Sequence, residues 1–139
     1  MQWLRLNTAL LFTPHWRDFS ISRLSDFDAD AGKEAGLHHM AFTFKSLREL
    51  LDTYTRLKES GIRPNWCINH GPTTSMYYRN PDNNQVELLI DYFDDVREGK
   101  AYIQSPAFAK NPIGVPFEPE PFVIRLQAGA SAAELDRIE

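Results

Sequence analysis

The sequence predicts an α+β fold, ordered strand, helix, strand, strand, strand over residues 37–90. Three observations carry this. Leu37-His38-His39-Met40-Ala41-Phe42-Thr43-Phe44 has the period of two that a strand imposes. It puts His38, Met40, Phe42 and Phe44 on one face and His39, Ala41 and Thr43 on the other. Leu47, Leu50, Leu51, Tyr54 and Leu57 fall at helical spacing and make one apolar stripe. Residues 69–90, NHGPTTSMYYRNPDNNQVELLI, read as two strands joined by a tight turn.

Each element has a local cause. Ser46 and Glu49 match a capping box, and Gly61 suits the left-handed residue that ends a helix over 47–60. A strand at 65–69 follows. In the turn Asn80-Pro81-Asp82-Asn83-Asn84, proline fixes φ while Asp and Asn bond their own backbone. The strand after it, Gln85–Ile90, is apolar apart from Glu87. A buried carboxylate without a partner costs several kcal/mol, so Glu87 faces solvent, pairs with a base or binds a metal. The His38, Met40, Phe42 and Phe44 face of the strand at 37–44 is mainly large and apolar and packs a core. The other face has small residues beside His39, which leaves room for something else.

Upstream, residues 4–12 and 18–24 read as strands, joined by a turn in which His15 faces solvent. They divide the chain into a partial unit at 1–28, a linker at 29–36, a complete unit at 37–95 and a tail at 96–139. In the tail, Asp94–Gln104 reads as a helix. Five of the nine prolines lie between 106 and 121, so 105–121 reads as extended chain on the surface. Phe122–Leu126 and Ser131–Ile138 read as short helices. The tail is assigned to packing or dimer contact rather than chemistry.

Bulk properties exclude several classes. At 139 residues, with 42% apolar and 24% charged, the chain suits one globular domain. A net charge of −4 gives no electrostatic reason to bind nucleic acid or an anionic membrane. No apolar run approaches the roughly 20 residues of a membrane span, and the N-terminus lacks a signal-peptide cleavage site. The single cysteine, Cys67, cannot form an internal disulfide, which points to a reducing, cytoplasmic setting. Cys67 reads as inert core packing, Trp3, Trp16 and Trp66 as core or rim aromatics, and His38 as a core or surface histidine.

The order of elements, with a histidine on the first strand and a glutamate on the last, resembles one βαβββ module of the vicinal oxygen chelate superfamily. That group includes glyoxalases, bleomycin- and fosfomycin-resistance proteins and type I extradiol dioxygenases. The stretch from Asn69 to Leu88 is similar to the extradiol signature: His70-Gly71, then Tyr77, then an Asp-Pro-Asp-Gly-Asn-like turn, then Glu87. Asn80 replaces the usual first Asp of the turn, and Asn83 stands where glycine is common. The resemblance implies paired βαβββ modules forming a half-barrel. The second module is complete, and the first lacks its first strand and helix.

The resemblance further implies roles. His39 and Glu87 are the metal ligands, Tyr77 hydrogen-bonds a metal-bound substrate oxygen, and His70 acts as acid and base beside dioxygen. The implied cofactor is Fe(II), with Mn(II) as the alternative. The implied reaction is extradiol cleavage of a catechol by O₂, in a homodimer. Two histidines and one carboxylate on one face of the ion leave positions open for substrate and O₂. A glyoxalase-type lyase or isomerase and a metal-free, small-molecule-binding dimer remain as alternatives. In the family the other histidine ligand comes from the first strand of the first module, and this sequence has no histidine before His15. A shortened chain, a second chain completing the cup, His15 as a substitute, or a lost metal are the four readings left open. All depend on whether His39 and Glu87 converge.

Overall fold

The computed structural model describes the backbone of residues 16–23, 37–131 and 135, with side chains from His39 onward. The expected strand at 4–12, the His15 turn, the linker and most of the expected helix at Ser131–Ile138 lie outside the described residues. The fold is α+β. Strand β1 (Trp16–Arg23) precedes β2 (Leu37–Phe44), helix α1 (Leu47–Glu59), β3 (Trp66–Asn69), β4 (Thr73–Arg79) and β5 (Gln85–Asp91). Helices α2 (Val96–Ile103) and α3 (Pro106–Lys110), the short strand β6 (Val115–Pro116) and helix α4 (Pro119–Gln127) complete the described chain.

The six strands make one sheet in the order β1-β2-β5-β4-β3-β6. β2 and β5 run parallel, and the other neighbours are antiparallel. Helix α1 crosses between β2 and β3, so β5 returns beside β2 and the two ends of the 37–91 unit become neighbours. Leu47, Leu50, Leu51, Tyr54 and Leu57 of α1 pack with Phe44, Cys67, Met76, Tyr78, Val86, Leu88 and Ile90 from the sheet. Val123 and Leu126 of α4 and Leu135 join the same cluster. The faces predicted for β2 are correct: Phe44 is in this core, with Met40 and Phe42 against it.

Both ends of α1 are closed by the residues the sequence singled out. Ser46 Oγ accepts from the Glu49 amide at 3.3 Å. The return bond comes from the Lys45 amide to Glu49 Oε2 at 3.2 Å, one residue earlier than a capping box would have it. At the other end the Gly61 amide donates to Lys58 O, and the Ile62 amide to Leu57 O. This is a Schellman closure with Gly61 at φ +78° and Ile62 packed on the core. The β4–β5 turn bonds as its composition predicts, with the Asn84 amide on Asn80 Oδ1 at 2.7 Å. Asn83 has φ +63°, which is why glycine is common at this place in similar turns.

The tail corrects one expectation. Residues 105–121 are not extended throughout, because α3 and the start of α4 fall inside them. Pro106 and Pro119 each follow the N-cap residue, where the missing amide hydrogen costs nothing. Glu120 then fastens α4 to α1. Its carboxylate accepts from Tyr54 Oη at 2.6 Å and from Lys58 Nζ, and the Lys58 ammonium, followed by the Tyr54 bond, holds it below its usual pKa.

Two outcomes are expected. Nothing lies within 4 Å of a side chain added at Gly61, so Gly61→Ala carries only the backbone cost and should lower unfolding stability by about 1 kcal/mol. Leu51→Ala, at 0% exposure, should cost about 3 kcal/mol. Urea unfolding measures both. Burial also pushes the Cys67 thiol from 9.0 up to about 12, and the Tyr54 and Tyr78 hydroxyls above their usual 10.0. These groups stay protonated in the fold while the unfolded chain ionises. Their contribution is therefore complete below pH about 9 and is lost as the pH rises further. Urea midpoints should hold between neutral pH and about 9, then fall. A flat profile above pH about 10 would contradict this burial.

Candidate functional site

The sheet register brings the singled-out residues onto one face. Ala41 pairs with Glu87, Glu87 with Tyr77, and Tyr77 with Trp66, so four strands contribute neighbours to one row across the sheet. Side chains directly opposite on adjacent strands sit about 5 Å apart at Cβ, close enough to bond. His39 lies two residues before Ala41 on the same face. With only a methyl group at Ala41, the imidazole reaches along β2 to Glu87. His39 Nε2 stands 2.9 Å from Glu87 Oε2. The expected convergence of these two side chains is therefore present.

Glu87 is only 7% exposed, and both of its oxygens are used. Oε2 faces His39, while Oε1 accepts from the Tyr77 hydroxyl at 2.9 Å. The acid in the apolar strand is thus compensated by two partners. Burial first, then the Glu87 charge and the bond to it, push the Tyr77 hydroxyl above its usual pKa. Tyr77 therefore holds its proton and acts as a donor. Of the adjacent tyrosines it is Tyr77 that faces the site. Tyr78 is in the core on the other face.

His70 follows the end of β3. Its Nε2 is 3.2 Å from Tyr77 Oη, and its Nδ1 is 2.6 Å from the Ile113 carbonyl oxygen. A carbonyl only accepts, so Nδ1 carries a hydrogen, and in the neutral ring Nε2 is left as an acceptor. The single Tyr77 proton then has two acceptors, Glu87 at 2.9 Å and His70 at 3.2 Å. The charged, nearer carboxylate holds it at rest. His39, Glu87, Tyr77 and His70 form one connected chain of polar groups. Trp66 covers it: its ring stacks on Tyr77 with centroids 5.1 Å apart and meets His70 edge-on at 5.8 Å.

Two of these features were not predicted. Trp66 read only as a core or rim aromatic, although a correct β3–β4 register would have put it opposite Tyr77. The Ile113 carbonyl lies in the tail, which was assigned no part in chemistry. A backbone group carries no side-chain signal, so nothing in the sequence marked it.

The donor chemistry of His39 and Glu87 fits a metal ion. An ion held at adjacent corners by an imidazole nitrogen and a carboxylate oxygen, each at about 2.0–2.2 Å, keeps those atoms about 3 Å apart. The observed separation is 2.9 Å. Among the described residues no cluster of three or more His, Cys, Asp or Glu forms. A separate groove of about 280 Å³, lined by Arg63, Trp66, Cys67 and Phe117 among others, includes none of His39, His70, Tyr77 or Glu87. No described helix is long and apolar enough to cross a membrane.

Known proteins resemble the chain. It is 48% identical over 104 residues to biphenyl-2,3-diol 1,2-dioxygenase 2 of Rhodococcus globerulus, covering 75% of this chain and 53% of that protein. It is 42% identical over 100 residues to biphenyl-2,3-diol 1,2-dioxygenase 3 of the same organism, covering 72% and 53%. The chain thus spans about half the length of these relatives. A Mn(II)-bound glyoxalase from Novosphingobium aromaticivorans aligns over 40% of this chain and 20% of its own at 27% identity, with a TM-score of 0.38. Residues 20–88, which hold β2 through most of β5 and with them His39, His70, Tyr77 and Glu87, match the Glyoxalase/Bleomycin resistance protein/Dioxygenase superfamily, and the chain carries a domain of that superfamily.

Proposed function

We propose that this chain contributes the metal-binding and proton-handling half of an extradiol dioxygenase. The observation that carries the reading is the connected row His39–Glu87–Tyr77–His70, with a 2.9 Å separation between the two ligand atoms. The substrate class is a catechol, two adjacent ring hydroxyls. The names of the two Rhodococcus globerulus relatives support an aryl-substituted one. His39 Nε2 and Glu87 Oε2 would hold Fe(II), with further donors coming from beyond these two residues. When bound, the iron supplies the Lewis acidity that lowers a substrate hydroxyl pKa and a place where substrate and O₂ meet.

The protein side of the chemistry follows from the hydrogen bonds. Tyr77, kept neutral by burial and by Glu87, donates toward a substrate oxygen that comes within reach of its hydroxyl. His70, with a bare Nε2, accepts a proton from a substrate hydroxyl and returns it to the opening ring. Trp66 shields one side of both and offers a flat apolar wall to an aromatic ring.

Protein loaded anaerobically with Fe(II) and exposed to air should turn simple catechols into a yellow ring-cleavage product. His39→Ala and Glu87→Ala should each lose iron along with activity, as read by elemental analysis. Tyr77→Phe and His70→Ala should keep iron and lower kcat by about 10² to 10³-fold. Full iron content with no ring cleavage by the wild-type protein would overturn the dioxygenase reading. Unchanged iron content in His39→Ala would overturn the ligand assignment.

A further inference from the structure

The tail segment between α3 and β6 presses on His70 in a way that packing alone does not require. Gly114 has φ +110°, and a side-chain carbon there would run into the Asn69 carbonyl oxygen and crowd the His70 backbone. Asn111 clamps the loop from within: its Oδ1 accepts from the Gly114 amide at 3.0 Å, and its Nδ2 donates to the Gly114 carbonyl at 2.9 Å. Immediately afterwards Val115 and Pro116 pair with Asn69 and Ile68, which anchors the loop to the strand that ends one residue before His70. The turn is gripped from a second direction by Tyr102 of α2, whose ring occupies the space a side chain at Gly71 would need. Between these restraints the Ile113 carbonyl is aimed at His70 Nδ1, at 2.6 Å.

We infer that the loop Asn111–Gly114 is a positioning device for His70. The Ile113 carbonyl selects the Nδ1–H form of the ring and so presents an unprotonated Nε2 to the Tyr77 hydroxyl and to a substrate hydroxyl beside it. Which ring nitrogen carries the hydrogen is set by the hydrogen bond the other one makes. One such bond weights the two neutral forms by roughly tenfold. Gly114 and Asn111 touch no reacting group and act through this carbonyl. The alternative form would turn an N–H toward Tyr77 and leave the pair without an acceptor for a substrate proton.

Nitrogen-15 spectra of histidine-labelled protein test this directly, with His70 assigned through His70→Gln. At a pH where the ring is neutral, wild-type His70 should show a protonated Nδ1 and a bare Nε2. Gly114→Ala should shift the signal toward the Nε2–H form. Should that variant fail to fold, Asn111→Ala decides the matter, with a smaller shift in the same direction, and Asn111→Asp, which keeps the acceptor for the Gly114 amide, should fall between it and wild type. An Nε2–H ring in the wild-type protein, or an unaltered spectrum in every folded loop variant, would overturn the inference. The activity arm rests on the role proposed for His70: in iron-loaded protein the variants should lower kcat by up to about 10²-fold with KM nearly unchanged. Because the spectra need neither iron nor turnover, a protein that cleaves no catechol would sink the dioxygenase reading and leave the positioning result standing.

Discussion

A carboxylate buried in the middle of an apolar strand organises this structure. Glu87 sits between Val86 and Leu88, both core residues, and is almost removed from water. Left alone, such a charge would cost more than the burial of its neighbours gains, or it would take up a proton. The fold answers by pairing each oxygen, one with His39 and one with Tyr77. Both partners arrive by sheet register, one from the parallel neighbour β2 and one from the antiparallel neighbour β4. The register of the strands that carry these residues therefore fixes the site's geometry. A one-residue slip of either pairing would turn Glu87 or its partners to the other face.

The two faces of the sheet divide the labour. One is apolar and carries α1 and α4, stapled together by Glu120 with Tyr54 and Lys58. The other carries the polar row and the Trp66 ring. Rigidity on the first face serves the second, since β2, β4 and β5 are held by the core under the atoms whose separations matter. The tail joins both sides. α4 completes the core, while the loop before β6 reaches the His70 ring.

The parts of this arrangement that were legible in the sequence are those written in short-range periodicity. The alternation in β2 separated His39 from His38 and Met40, the stripe in α1 marked its buried side, and the oddness of Glu87 was visible from its apolar neighbours alone. Convergence of His39 and Glu87 needed the strand order as well, which came from resemblance rather than from local pattern. Where the reading failed, the deciding term was not local. Prolines at 106 and 119 suggested extended chain, yet at the first helical position proline favours a helix. The reach of Ile113 to His70 depends on backbone packing at Gly114, which no side-chain pattern announces.

The chemistry proposed for this fold requires His39 and Glu87 to serve one ion together. Crystals of the protein soaked in Mn(II), with the metal located by anomalous scattering, test this without intermediaries. A single site is expected within bonding distance, about 2.0–2.3 Å, of both His39 Nε2 and Glu87 Oε2. A metal bound to only one of them, or located elsewhere while the 2.9 Å pair stays closed, would contradict it.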